Sequence, residues 1–225
     1  MLDAAPPPPP SHYEQIAEKL DLSYQNAAKT SAFAAMASLE GWCSTNKASI
    51  LMDLIFILKP KTIVEIGVWG GKSLIPMAFA LKANNQGKIY GVDPWDAQAS
   101  IQGMEGQNKN WWGKIDHAQI YNGLAKQIER LELTPQIELI KATSKAASPI
   151  SPIDLLHIDG NHSDEASYLD VQKWVPLVAE GGLIVFDDIN WKTTKRAVDY
   201  LNTNCTKLFE YQGANTWGVW VKRKN

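Results

Sequence analysis

The sequence predicts an α/β protein with a Rossmann-like, doubly wound sheet of seven strands, closed by a C-terminal antiparallel hairpin and preceded by an N-terminal helical extension. Two observations predict this class. From Lys61 onward, short apolar runs that fit buried strands alternate with longer runs that fit helices, which implies right-handed parallel crossovers. The chain then ends in two strand-like runs, TKLFEYQ and TWGVWVKR, joined by a loop that contains Gly213 and Asn215. That spacing is typical of a hairpin.

The N-terminal quarter differs in character from the part that forms the sheet. Residues 1–10 end in the run Pro6–Pro10, which predicts an extended, flexible tail. Residues 11–59 predict a helical cap, because HYEQIAEKL, an alanine-rich stretch and NKASILMDLIFILK follow one another. The polar cluster at 44–46 separates the last two, and such side chains are natural helix N-caps. The main domain is expected to span residues 60–225.

Within the main domain, apolar runs bounded by turn residues indicate the strands, and the longer runs between them indicate the helices. One segment, residues 94–113, interrupts this rhythm because it is polar, contains glycines and includes Trp111-Trp112. Such an insertion predicts either a functional lid or disorder. Strands are expected at 61–66, 88–92, 136–141, 153–158 and 182–187, and helices at 72–83, 115–131, 164–178 and 192–202.

Composition excludes several classes of function. The formal net charge is −2, so no basic surface for nucleic acid is indicated. Cys43 and Cys205 lie far apart without a metal-type spacing, which favours free thiols and a reducing compartment. No apolar stretch approaches the roughly 18 residues of a spanning helix, and no signal peptide is recognisable. We therefore expect a cytoplasmic protein without a membrane partner, whose apolar N-terminal helices are compatible with a homodimer.

The run IVEIGVWGGKS over residues 63–73 carries the clearest binding signal. It reads as a buried strand that enters a tight turn, where Gly67, Gly70 and Gly71 would let the backbone approach a ligand. Asp93 follows Gly70 by 23 positions, close to the offset of about 20 residues expected for an acid that grips ribose hydroxyls. The sequence thus predicts a cofactor that contains ribose.

Three cofactor classes compete for this turn. A dinucleotide is disfavoured, because Glu65 stands where the fingerprint needs its first glycine and would repel a pyrophosphate. A phosphate-binding loop of an ATPase or kinase stays open as an alternative, since GGKS ends at Ser73, although residue 66 is Ile where that loop requires glycine. S-adenosylmethionine fits better, because it has a ribose, no phosphate, and positive charges that an acid favours.

Acidic residues follow two further strands. Asp159 ends IDLLHIDG, and Asp187 and Asp188 end GGLIVFDD. The carboxyl ends of parallel strands meet at one edge of the sheet, so these three acids should gather there. Because close carboxylates repel one another, the cluster predicts a hard divalent cation such as Mg²⁺. His162 follows Asp159 by three residues, and its imidazole is suited to accept a hydroxyl proton.

Together these motifs resemble class I methyltransferases over roughly residues 60–222. The segment IDLLHIDGNHSDEA…GGLIVFDDINW is similar to the metal-dependent O-methyltransferases of small molecules, which include the macrocin and novobiocin sugar enzymes and, more distantly, catechol O-methyltransferase. The resemblance implies Mg²⁺ on Asp159, Asp187 and Asp188, and it puts His162 where the catechol enzymes use a lysine base, with Asp159 as the other candidate for the base. The implied cofactor contacts are Glu65, Gly67, Trp69, Gly70, Gly71, Ser73, Asp93, Trp95, Ser144 and Asp159.

The expected reaction is methyl transfer from S-adenosylmethionine to the hydroxyl of a small molecule, and most of the catalysis would come from positioning. Sugars, catechols and other phenols all fit this expectation. A module that binds the cofactor without catalysis stays open as a further alternative.

Overall fold

The computed structural model describes residues 22–103, 106–213 and 215–223, so the predicted tail and the helix at its border lie outside the described residues. Across the sheet the strand order is β3-β2-β1-β4-β5-β7-β6, with β1 to β5 parallel and β7 antiparallel to both of its neighbours. The predicted sheet and C-terminal hairpin are confirmed. The strands are β1 (Thr62–Ile66), β2 (Lys88–Asp93), β3 (Ile137–Lys141), β4 (Ile153–Ile158), β5 (Val178–Phe186), β6 (Cys205–Tyr211) and β7 (Trp217–Lys222).

Helices cover both faces of this sheet. They are α1 (Ser23–Met36), α2 (Thr45–Leu58), α3 (Leu74–Ala83), α4 (Ala97–Ser100), α5 (Gly106–Trp112), α6 (His117–Arg130), α7 (Asp164–Trp174) and α8 (Lys195–Asn204). Helices α1, α2, α3 and α6 share one apolar core with the sheet, and α7 and α8 share a second core. The strand order reverses between β1 and β4, and open α/β sheets bind ligands in the crevice at such a point.

The alternation of side chains along each strand decides which layer a residue faces. In β1, Ile63 belongs to the core beneath α2, whereas Val64 belongs to the opposite core. In β4, Leu155 faces the α2 layer in the same way. Glu65 and His157 are each two residues further along and pair in register. Both polar side chains therefore face the layer that contains α2.

Helix α2 joins the N-terminal cap to that layer. It begins after Ser44, whose Oγ accepts a hydrogen bond from the Lys47 backbone N–H at 3.1 Å, as the polar cluster predicts. Its last residue is Leu58, and the C-cap Lys59 has a left-handed φ of 48°. Lys47, Leu51 and Ile55 are buried on one side of this helix, so a lysine occupies the first turn of an otherwise apolar face.

Some boundaries differ from the prediction for local reasons. The helix expected to reach residue 178 ends at Trp174 and continues as a 3₁₀ turn with Pro176, and β5 begins at Val178. Proline has no backbone N–H for the helical ladder, which explains the early end. The segment 94–113 contains the short helices α4 and α5. Among the described helices, none has the length and apolar character needed to cross a membrane.

Candidate active site

A cavity of about 890 Å³ opens where β1, β2, β4 and β5 end, within the usual size range of ligand pockets. The structure brings most of the predicted site residues into its wall. Other predicted residues lie behind the wall and act through neighbours. The residues in the wall are Gly67, Trp69, Ser73, Asp93, Ser144, Asp159, His162, Asp187 and Asp188. Those outside it are Glu65, Gly70, Gly71 and Trp95.

Asp93 holds the glycine turn in place. Its Oδ2 accepts hydrogen bonds from the backbone N–H groups of Val68 and Trp69, each at 3.0 Å, and its Oδ1 accepts one from Trp95 at 2.8 Å. Burial raises the pKa of Asp93, and these three N–H donors oppose that rise. The acid predicted to bind ribose therefore also fixes the backbone beside it, a contact that the motif alone does not reveal.

The glycines of the turn make close contacts with protein. A Cβ on Gly67, where φ is +84°, would lie 2.1 Å from the carbonyl oxygen of Asp159. A Cβ on Gly70 would lie 2.6 Å from the backbone oxygen of Glu40, and one on Gly71 would lie 2.4 Å from Leu124. A loop and a helix thus occupy the space beside Gly70 and Gly71, where the sequence predicts a ligand. Only Gly67 of the three lines the cavity.

Glu65 lies behind the cavity wall, fully buried. Its Oε1 accepts a hydrogen bond from Ser73 Oγ at 2.5 Å and lies 2.8 Å from His157 Nδ1. The strand alternation turns Glu65 toward the α2 layer, so the contact predicted between Glu65 and a cationic cofactor would be made through Ser73, which lines the cavity. Its charge faces His157, whose pKa is lowered by burial and Lys47 but raised overall, to about 9, by the carboxylates of Asp187 and Glu65.

Trp95 also departs from its predicted role. Its ring is buried in the core, and its Nε1 donates a hydrogen bond to the Trp69 carbonyl at 2.9 Å. It therefore supports the turn from below. Trp69, Trp95 and Asp188 have left-handed φ values of 51°, 41° and 49°. Such backbone is uncommon for residues other than glycine and is often found at functional sites.

The end of β3 supplies the side of the cavity predicted to hold adenine. Ser144 Oγ donates a short hydrogen bond to Asp170 Oδ1. Burial raises the pKa of Asp170 to about 7, against the lowering effects of Ser144 and Lys173. Lys173 Nζ donates to the carbonyls of Ser144, Lys145 and Ala147 at 2.6–2.8 Å. Asp170 was not predicted as a site residue, because it lies within a helix and outside any motif.

The acids after β4 and β5 gather as predicted, and a lysine from the N-terminal cap lies among them. Lys47 Nζ forms an ion pair with Asp187 Oδ2 and lies 3.6 Å from Asp159 Oδ2. The Lys47 side chain is only 4% exposed. The sequence did not predict this residue, but a lysine on the apolar face of a helix is the signal that could have identified it.

Opposite charges set the protonation of this cluster. Burial alone would lower the pKa of Lys47, but the carboxylates of Asp187 and Asp159 raise it above its ordinary value. Burial alone would raise the pKa of Asp187, but the Lys47 charge holds it below its ordinary value. Burial and the charge of Asp187 raise the pKa of Asp159 well above its ordinary value. Lys47 and Asp187 are therefore a charged pair.

His162 bridges the two remaining acids on the cavity side. Its Nε2 lies 3.7 Å from Asp159 Oδ1, and its Nδ1 lies 3.4 Å from Asp188 Oδ2. Burial lowers the pKa of His162, although the nearby Asp188 charge opposes this. Within the described part of the chain, the buried Nε2 has no hydrogen-bond partner. The predicted base thus presents an unpaired nitrogen beside Asp159.

The predicted metal ligands, Asp159, Asp187 and Asp188, belong to this cluster of contacts. Among the residues that the structure describes, two groups each bring their donor atoms within 4.8 Å of one another. They are His157, Asp159 and Asp187, and Asp159, His162 and Asp188. The Lys47 ammonium pairs with Asp187 Oδ2 and lies 3.6 Å from Asp159 Oδ2. A divalent ion on these two carboxylates would therefore meet a cation that is already beside them.

Tryptophans form one rim of the cavity. Trp42, Trp69, Trp111 and Trp112 contact one another with ring centroids 4.8–6.4 Å apart. Trp42 is 60% exposed and Trp111 is 49% exposed. The predicted Trp-rich segment 94–113 thus meets the glycine turn at the entrance, together with Trp42, which the sequence did not identify.

The chain is similar in sequence to known proteins. A family profile described as a methyltransferase domain matches residues 64–189, which is more than half of the chain. An uncharacterized protein, y4gI of Sinorhizobium fredii, is 27% identical over 140 residues, covering 61% of this chain and 14% of that protein. The chain thus matches about one seventh of the length of this relative.

Solved structures share the fold. The O-methyltransferase from Bacillus cereus in complex with SAH has 15% sequence identity and a TM-score of 0.61, with 93% of this chain and 96% of that chain covered. The O-methyltransferase TomG from Streptomyces achromogenes, in complex with SAM, has 15% identity and a TM-score of 0.62, with coverage of 88% and 90%.

Proposed function

The chain belongs to the methyltransferase-domain family, and from that premise we propose that it transfers a methyl group from S-adenosylmethionine to the hydroxyl of a small molecule. The observation that carries the proposal is the charge of the cavity wall. Two lysines, Lys72 and Lys145, line it among the described residues. The acids in the same wall are Glu40, Asp93, Asp159, Asp164, Glu165, Asp170, Asp187 and Asp188. An acidic wall favours a cofactor with ammonium and sulfonium charges.

The same geometry disfavours the phosphate-loop alternative. A phosphate would need the backbone N–H groups of the glycine turn, but those of Val68 and Trp69 donate to Asp93. The Asp93 carboxylate would also repel the phosphate. S-adenosylmethionine avoids both conflicts, and the relatives in complex with SAM or SAH support it.

On the cofactor side, Asp93, Gly67, Trp69 and Ser144 would line the bound molecule. Each Asp93 oxygen has lone pairs beyond those used by the turn, so its carboxylate can still accept ribose hydroxyls. Ser144 already donates its proton to Asp170, so its oxygen is left as an acceptor for an adenine amino group. When bound, the cofactor supplies a methyl group on a positively charged sulfur.

On the acceptor side, His162 is the proposed base. Its unpaired Nε2 would take the proton of the acceptor hydroxyl as the oxygen–carbon bond forms and the carbon–sulfur bond breaks, with the electron pair left on sulfur. Asp188 lies beside Nδ1 and would stabilise the positive imidazole ring that results. Asp159 lies beside Nε2 and would orient the hydroxyl. No step is assigned to a metal ion, because the predicted ligand pair is compensated by Lys47.

The proposal is tested with isotope-labelled S-adenosylmethionine and a panel of sugars, catechols and other phenols. Mass spectrometry should detect a product that carries the labelled methyl group, and the His162→Gln variant should lose product while it keeps cofactor affinity. If cofactor binds but no hydroxyl is labelled, and His162→Gln changes nothing, the chain is a cofactor-binding module without catalysis.

A further inference from the structure

Lys47 is the least expected member of the site. A buried lysine is expensive unless it is paired, because its ammonium loses the hydration that stabilises it in water. Here the pairing is with Asp187 and Asp159, which follow different strands. The Trp217 ring lies 6.0 Å from the same Nζ, a distance typical of cation–π contact. The site is therefore built around this cation.

The neighbours of Lys47 form a row in which acidic and basic side chains alternate. From the interior outward, Glu65 lies beside His157, His157 beside Asp187, and Asp187 beside Lys47. Lys47 then lies beside Asp159, which lies beside His162. Each acid thus has a basic neighbour on one or both sides. Lys47 therefore opposes the repulsion between Asp159 and Asp187 from which a metal ion was predicted.

Asp159 has a distinct partner for each oxygen. Its Oδ2 faces Lys47 at 3.6 Å and its Oδ1 faces His162 at 3.7 Å. Lys47 approaches from the α2 layer and lies outside the cavity wall, whereas Asp159 and His162 belong to that wall. The lysine thus stabilises Asp159 from behind and leaves its front oxygen for a ligand.

We infer that Lys47 is the resident cation beside Asp159 and Asp187 and takes the place of a divalent metal at this pair, so that methyl transfer needs no metal ion. In the second donor group, His162 lies between Asp159 and Asp188 and serves as the proposed base. The inference rests on the proposed function for its reaction. Lys47 is a positioning residue, since it acts through Asp159 and Asp187 and does not reach the cavity. It also gives the N-terminal helices a role in the site.

The test measures metal binding directly, apart from activity. Protein is treated with chelator and desalted, and Mn²⁺ binding is then followed by electron paramagnetic resonance. The wild type should bind no stoichiometric Mn²⁺ and should keep its methyl-transfer rate. The Lys47→Met variant removes the ammonium beside Asp159 and Asp187, so it should gain Mn²⁺ binding and lose about 100-fold in kcat, as a misplaced catalytic group does.

Lys29→Met is the matched control. Lys29 Nζ pairs with Asp53 Oδ1 at 2.6 Å between α1 and α2, so this variant also removes a lysine ion pair from the helical cap, but away from the cavity. It should change neither Mn²⁺ binding nor kcat. A purely structural role for Lys47 would lower stability in both variants without creating a metal site in either.

Stoichiometric Mn²⁺ binding by the wild type, or full recovery of lost activity when Mg²⁺ is returned to stripped protein, overturns the inference. Both outcomes are measured on the wild type, so they test the inference even if Lys47→Met does not fold. Failure of the proposed function is visible separately, because calorimetry on the same stripped protein would then detect no S-adenosylmethionine binding.

Discussion

Asp93 offers the most informative single substitution, Asp93→Asn. The best orientation of the asparagine keeps its oxygen on the N–H groups of Val68 and Trp69 and turns its NH₂ toward the N–H of Trp95. One hydrogen bond to a charged acceptor is then lost, which costs about 1.5–3 kcal/mol. Removal of a carboxylate whose pKa is raised by burial offsets part of this cost. We expect the free energy of unfolding to fall by about 2 kcal/mol.

Urea unfolding with a structural probe measures this change, and thermal unfolding should show a fall in Tm of about 4–8 °C for a chain of this size. The S-adenosylmethionine affinity should fall at least about tenfold, or about 1.4 kcal/mol. Asp96→Asn is the control, because exposed Asp96 caps α4 by accepting from Ala99 N–H and asparagine caps equally well. If Asp93→Asn matches this control in stability and affinity, the Asp93 carboxylate does not hold the glycine turn in place.

Three further substitutions test other parts of the site. Gly67→Ala should lower Tm sharply, because its Cβ would lie 2.1 Å from the Asp159 carbonyl oxygen; wild-type Tm would contradict this contact. Burial raises the pKa of Asp170 in the folded protein to about 7. The free energy of unfolding of the wild type should therefore fall by a few kcal/mol as the pH rises from about 4 to 7. In urea unfolding, Asp170→Asn should show a flatter dependence of this free energy on pH. His162→Gln should lower kcat by about 10²–10⁴-fold without changing cofactor affinity in calorimetry; an unchanged kcat would remove it as the base.

The fold was largely predictable, and so was the gathering of acids at one edge of the sheet, because both depend on local pattern. Alternating apolar runs predicted the sheet, and the carboxyl ends of parallel strands brought Asp93, Asp159 and Asp187 to one edge. The burial of Glu65 was not predicted, because the motif suggests a ligand contact whereas the strand period turns the residue inward. The packing of α2 on the sheet decides that this layer covers Glu65.

Lys47 could not be paired with its partner from sequence alone. It lies 140 residues from Asp187 along the chain, and only the packing of α2 on the sheet brings them together. A charge argument limited to the acids therefore could not take into account the lysine that lies beside Asp159 and Asp187. Trp95 is a similar case, since its place under the turn depends on a left-handed backbone that the sequence did not indicate.

Calorimetric titration of the purified, chelator-treated protein with S-adenosylmethionine tests the central claim most directly. We predict saturable binding at one site, weakened in Asp93→Ala, and no heat from ATP with Mg²⁺. Absence of S-adenosylmethionine binding, together with ATP–Mg²⁺ binding that is lost in Lys72→Ala, would contradict the account and favour a phosphate-binding site.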